Sequence, residues 1–380
     1  DRSVSRGLGD VYKRQNYTIG VMKMQYANYQ PYPYYQNHMQ SPQEIKKAHD
    51  LKTLQKKSSG LGFYILTYFL SMNIIVVGIT FLLTVSTMLN MDISNFDTET
   101  LTQYIMSKLT SGPVFYYMQI FAAAASATIT GLIYLKLSKT HISDCLSVKS
   151  VKPAMLIALV LMGMGVSMVS NVAADLVSSN FSLIGIEYSL NMDMSSRSVF
   201  ENILYVVAIA VTPAFAEEFA FRGILMGSLR KYGNSFAIIV SAVMFGAMHG
   251  NIIQIPFAFI LGLIFAYIDC KANSIIPSII IHFINNFYSV IMDILQSQNI
   301  VTTRSFYIIY YSIFTAMLVF GVLAFLYIMK KDKNFLSISD TSNVVSLSLK
   351  EKIKCFFTSA GTATIVVILI LETIIASVAL

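Results

Sequence analysis

The sequence predicts an all-α polytopic transmembrane bundle of eight or nine spans, and three observations predict it. Hydrophobic residues make up 55% of the chain and charged ones only 12%. Mean hydropathy is +0.62. The apolar residues fall into runs near the length that crosses a hydrocarbon core, about 20 residues of helix. These runs lie at 61–86, 113–136, 153–178, 199–221, 235–250, 252–270, 274–296, 304–329 and 356–380. The fifth is short and joins the sixth through Gly250-Asn251, so the pair is either a tight hairpin or one broken helix. The count is therefore nine or eight.

The ends of the runs carry an orientation signal. Lys46, Lys47, Lys52, Lys56 and Lys57 precede the first span, and Lys136, Lys139, Lys149 and Lys152 follow the second. Arg230 and Lys231 follow the fourth, and Lys330, Lys331 and Lys333 the eighth. The alternate loops hold Asp92, Asp97, Glu99, Glu187 and Asp193, with Lys108 and Arg197 as their basic residues. Basic residues gather on the cytoplasmic side of membrane proteins, which places the N-terminus in the cytoplasm of a multi-pass cell-membrane protein. Nine crossings would put the C-terminus outside. The formal net charge of +7 is mostly this topology signal and asks for no nucleic-acid partner.

Four regions follow. Residues 1–60 form a polar cytoplasmic tail expected to be disordered. Its stretch 1–15 resembles translated adapter sequence, Met22 and Met24 are candidate starts, and the Tyr/Gln/Pro/Asn-rich stretch 25–43 cannot bury a core. Residues 61–198 hold the N-terminal spans, 199–296 the chemistry-bearing core, and 297–380 the C-terminal spans around a polar linker at 334–349. Cys145, Cys270 and Cys355 have neither an even count nor metal-ligand spacing, so they read as inert thiols.

Within 199–296, ionisable groups stand where a bilayer should not tolerate them, in Glu217-Glu218-Phe-Ala-Phe-Arg222, Phe245-Gly-Ala-Met-His249 and His282-Phe-Ile-Asn-Asn286. Such groups are costly in lipid and mark functional sites by default. Glu218 and Arg222, four apart, share a helical face and can pair. Glu217 points about 100° away, free to accept a proton as a general base would. The bland reading is a helix end emerging into the cytosol. His249, alone at the end of an apolar run, reads more readily as a polar boundary residue than as a ligand. His282 and Asn286 share one face of an apolar span and need partners there, which a plain helix–helix clamp would also supply. At about 1.5 Å per residue from the turn near Tyr232, Glu217 and His249 lie at roughly 22 and 25 Å, and from Asn273, His282 and Asn286 at roughly 13 and 20 Å. All four can meet inside the membrane.

EExxxR, FxxxH and HxxxN in this order on successive membrane helices resemble the CPBP family of intramembrane proteases. That family includes the type II CAAX prenyl endopeptidases and bacterial bacteriocin-processing or self-immunity proteins. The resemblance covers about 199–296, and the three motifs show no departure from the family pattern. It implies peptide-bond hydrolysis in a wet cavity within the bilayer. Glu217 would activate water with help from His249, His282 and Asn286 would stabilise the oxyanion, and Glu218 with Arg222 would position Glu217. Glu217, His249 and His282 could alternatively hold a catalytic zinc, making a metalloprotease, but no HExxH pair is present and a metal-independent glutamate mechanism is the favoured reading. The expected partners are the lipid bilayer and a membrane-associated peptide or protein substrate. The composition, rich in Lys, Ile, Asn and Tyr, looks bacterial, which favours peptide precursors over prenylated proteins. A non-enzymatic scaffold or immunity protein is the rival reading. A proton-coupled transporter is the third, and the chain lacks the clear internal repeat it would ordinarily carry. Oligomeric state is not legible.

Overall fold

The computed structural model describes residues 41–90, 99–100, 102–104, 112–182, 197–340 and 342–378. The proposed adapter stretch, the candidate starts Met22 and Met24, and the loop acids Asp92, Asp97, Glu187 and Asp193 lie outside the described residues, as does Lys108.

Among the described residues ten helices carry the architecture: α1 Pro42–Asn90, α2 Gly112–Ser138, α3 Pro153–Ser182, α4 Val199–Arg230, α5 Asn234–Ala247, α6 Gln254–Ala272, α7 Ile276–Ser297, α8 Thr303–Lys331, α9 Leu349–Thr358 and α10 Ala360–Val378. Seven of them are long and apolar enough to cross a membrane, or eight spans result if α9 and α10, bent by 72° at their junction, count as one. The chain is an all-α polytopic bundle. The ninth expected span is missing because α5 has only 14 residues, about 21 Å at helical rise. It packs along α6 as a hairpin. Gly250 at φ 59° makes the corner between them, and Gly262 brings the two backbones together, since a Cβ there would lie 3.0 Å from Ala242 Cα.

Residues 42–60 correct the expectation of a disordered tail through residue 60, because α1 begins at Pro42. The reason is local. Ser41 Oγ accepts from Glu44 N at 3.2 Å and Ser41 N donates to Glu44 Oε2 at 2.6 Å. This reciprocal cap starts the helix, and the strong helix formers that follow extend it into the apolar run.

In the unit Lys47–Leu380, α3 packs along α8, where Gly165 and Gly321 permit near contact of the backbones. α4 lies among α2, α5 and α7. Its start is fixed by a capping box between Ser198 and Glu201. Arg197 ties that end to α7 through Asp293 at 2.7 Å. The 334–349 linker docks at the opposite end, where Asp340 Oδ1 accepts from Ser235 N at 2.9 Å and Lys271 Nζ donates to Asn334 O at 2.8 Å.

Candidate active site

Helix α4 is not uniformly α-helical. π-helical turns at Val207–Val211 and Phe219–Met226 bracket the α-helical turn Thr212–Glu218 that carries both glutamates. Pro213 stands at the start of that turn. It has no N–H to give the preceding turn, which favours a widened ladder there. Such bulges re-aim side chains and occur frequently at functional sites.

Glu218 and Arg222 are fully buried. The carboxylate Oε1 lies 3.1 Å from Arg222 Nη1 and accepts from His282 Nδ1 at 2.9 Å. The guanidinium is held between two aromatic rings, its Cζ 4.1 Å from the Phe245 centroid and 5.3 Å from that of Phe265. Desolvated cation–π contacts contribute about 2 kcal/mol, so this sandwich supplies part of what water would have given the buried cation. The expected Glu218–Arg222 pair therefore forms, and the side chain it contacts on α7 is His282.

His282, also buried, faces both glutamates. With Nδ1 committed to Glu218, its Nε2 stands 3.9 Å from Glu217 Oε2. Glu217 is the more open acid, with its side chain 28% exposed. Asn286, one turn along α7, donates from Nδ2 to Ile209 O at 3.0 Å. That carbonyl belongs to the first π-helical turn, whose altered ladder leaves it accessible to a side-chain donor. Asn285 Nδ2 donates to Asn286 Oδ1 at 3.1 Å, and Ser167 of α3 bonds Asn285 in turn.

His249 is placed differently. It ends α5, with Nδ1 2.9 Å from Phe245 O. A carbonyl only accepts, so Nδ1 carries the proton and Nε2 is the free lone pair of the neutral ring. Its link to the other residues is Phe245, whose ring packs edge-on against His249 at 5.1 Å and His282 at 6.0 Å. Glu217, Glu218, Arg222 and His282 thus form one polar cluster, flanked by Asn286 along α7 and by His249 across Phe245. The three zinc-ligand candidates are not gathered: no group of three His, Cys, Asp or Glu side chains able to hold a metal occurs among the described residues.

Sequence reasoning passed over several participants. Phe265 lies within an apolar run and nothing local distinguishes it from a lipid-facing ring. Tyr68 of α1 is buried and packs edge-on against Phe221, in the second π-helical turn after Glu218, at 6.3 Å. Asp269 of α6 carried a usable signal, a carboxylate in an apolar span. It is buried, and it receives Ser278 Oγ at 2.6 Å and Ser278 N at 3.2 Å, which locks the start of α7 and so the register of His282.

Comparison with known proteins bears on this segment. No curated protein and no solved structure gives a significant match. One family model does match, over residues 199–288, which run from the start of α4 through most of α7 and contain every motif residue above. Residues 199–288 match the family described as type II CAAX prenyl endopeptidase Rce1-like, so this segment of a multi-pass membrane protein is CAAX-protease-like.

Proposed function

We propose that the chain is an intramembrane endopeptidase in which Glu217 activates water for attack on a peptide bond of a membrane-associated substrate. The observation that carries this reading is the position of His282. Glu218, neutralised by Arg222, holds one ring nitrogen and turns the other toward Glu217 at 3.9 Å. That separation is too long for a direct hydrogen bond, and one water within reach of both atoms can bridge it.

In the proposed reaction Glu217 accepts a proton from water as the water oxygen bonds to the substrate carbonyl carbon. An Nε2–H of His282 donates a hydrogen bond to the resulting oxyanion. Asn286 shares this role through its second amide N–H, the first being held by Ile209 O. Glu217 then delivers its proton to the departing amine as the C–N bond breaks. His249 offers Nε2 as a second acceptor for the water. Preorganised donors in a dry site suit this task, because they need no reorientation as charge develops. No step of this proposal is routed through zinc.

The substrates this reading favours are peptides or precursors with a hydrophobic segment, including bacteriocin leaders, and the role includes processing or self-immunity in a bacterial membrane. The distribution of Lys and Arg supports a cytoplasmic N-terminus. The test is cleavage of a panel of lipid-anchored and transmembrane reporter peptides by purified protein in detergent, comparing wild type with Glu217→Gln, each with and without a strong zinc chelator. Activity lost in the variant and retained in chelator supports the glutamate mechanism. Activity lost to chelator favours zinc, and a variant as active as wild type removes Glu217 as the base and favours the scaffold reading.

A further inference from the structure

A second built site lies at the end of the molecule where the basic loops gather. A cavity of about 1170 Å³ opens between α1, α2, the 139–149 connection and the end of α4. Six cations line it, Lys56, Lys57, Lys139, Lys149, Arg230 and Lys231, against the single acid Asp144. Among the described residues, none of the six is in a salt bridge. Lys57 reaches Thr140 Oγ1 at 3.5 Å and the face of Tyr134 at 5.1 Å, while Arg230 donates to the neutral Asn273 Oδ1 at 2.8 Å. Like charges are thus held together with neutral partners. The Lys231 ammonium, outside the spans, is pushed below its ordinary value by burial and by the charge of Lys57.

A second observation points to a ligand. Three buried hydroxyls line the same cavity: Tyr64 Oη has no hydrogen-bond partner, and Tyr134 Oη and Ser228 Oγ, which lie near each other, make no hydrogen bond within 3.5 Å. Buried hydroxyls without partners are costly, and a polyoxygenated anion would satisfy them together with the ammonium groups. The third observation is the wall. Phe63, Ile133 and Leu137 line the cavity and are 48%, 52% and 78% exposed on faces of helices that cross the membrane. The site is basic and hydroxyl-rich at one side and open to lipid at the other.

We propose that this cavity binds the phosphate headgroup of an anionic phospholipid, with the acyl chains lying along Phe63, Ile133 and Leu137. Basic pockets between transmembrane helices recognise such headgroups, and each nearby Lys or Arg adds about 1 kcal/mol. A free phosphate would use the same cations and hydroxyls but not the apolar wall. Its presence in the test therefore separates the two sources.

The experiment is native mass spectrometry and thermal unfolding of the full chain after delipidation, with phosphatidylglycerol, phosphatidylcholine or inorganic phosphate added back. Phosphatidylglycerol is expected to bind and raise the unfolding temperature where phosphatidylcholine does not. Lys57→Gln/Lys231→Gln is expected to weaken phosphatidylglycerol roughly thirtyfold, and Lys57→Arg/Lys231→Arg to retain it. If the Gln pair does not fold, Lys139→Gln/Lys149→Gln at the rim serves the same comparison. Equal binding of the two lipids, equal protection by inorganic phosphate, or unchanged affinity in the charge-removing variants each overturns the proposal.

Discussion

Glu218 of α4 and His282 of α7, 64 residues apart in sequence, meet at 2.9 Å through a fully buried carboxylate oxygen and a ring nitrogen. The bond does two things. It gives the Glu218–Arg222 pair a third member, so the charge inside the bundle is held on two helices. It also fixes the imidazole plane and leaves Nε2 directed at the more exposed Glu217. Adjacent carboxylates therefore have separate environments: Glu218 is closed and paired, while Glu217 is more open and faces His282 Nε2.

That division gives the first prediction. Glu217→Gln removes a proton acceptor without emptying space or stranding a buried charge, so the unfolding temperature should stay near wild type. Reporter cleavage should fall by about 10²- to 10⁴-fold, the usual range for a lost acid–base group. A large fall in thermal stability together with activity would mean that Glu217 is a structural residue.

Glu218→Ala should behave in the opposite way. It leaves Arg222 buried between Phe245 and Phe265 without its anion, and stranding a buried charge costs about 3–5 kcal/mol. Thermal unfolding should show the loss before any activity assay. The double variant Glu218→Met/Arg222→Met should recover much of the stability, because apolar replacement of a whole buried pair is often neutral or better. It should still cleave poorly, since His282 Nδ1 has lost the acceptor that orients it. Full activity in the double variant would remove the positioning role assigned to Glu218.

Much of this arrangement was legible beforehand. Apolar runs located the spans, and the cost of an ionisable group in lipid singled out Glu217, Glu218, Arg222, His249, His282 and Asn286. What the sequence could not convey depends on helix crossings and on backbone detail. The Phe245–Arg222–Phe265 sandwich requires α4, α5 and α6 to approach at one level, and an aromatic in an apolar helix looks alike whether it meets a cation or a lipid tail. The π-helical turns beside Glu217 and Glu218 follow from packing and Pro213 and leave no periodicity strong enough to read over five to eight residues. The helical start of α1 was readable from Ser41 and Glu44. It was hidden by the charged composition, which suits a solvated helix as well as a tail.

The crossing of α1 with α10 should depend on two glycines. A Cβ on Gly62 would stand 2.1 Å from Thr362 N, and one on Gly361 would stand 2.1 Å from Ser59 O. Both obstacles are backbone, which cannot rotate away, so Gly62→Ala and Gly361→Ala should separate the helices and lower the unfolding temperature. Gly60, two residues before Gly62 and so on another face of α1, has nothing within 4 Å of its would-be Cβ. Gly60→Ala should be neutral or gain about 0.5–1 kcal/mol from reduced backbone entropy. If all three variants unfold alike, the close crossing is not present in the membrane protein.

Cys145 supplies a prediction in pH. It lies in the turn Ile142–Cys145, outside the spans, and its carbonyl oxygen would sit 1.9 Å from a Cβ on Gly227. Burial pushes its thiol above the ordinary value of 9.0. The thiolate is the reacting form, so a raised value means a smaller reactive fraction at neutral pH and a rate that reaches half its maximum above pH 9.0, where an ordinary thiol is half ionised. Maleimide labelling followed by mass spectrometry, in a Cys270→Ser/Cys355→Ser background, should give that profile. Gly227→Ala should force the turn away, expose the thiol and shift the profile toward that of a free cysteine. A wild-type profile half-maximal at or below pH 9.0 would show that the turn is open to water and that Gly227 does not hold it against α4.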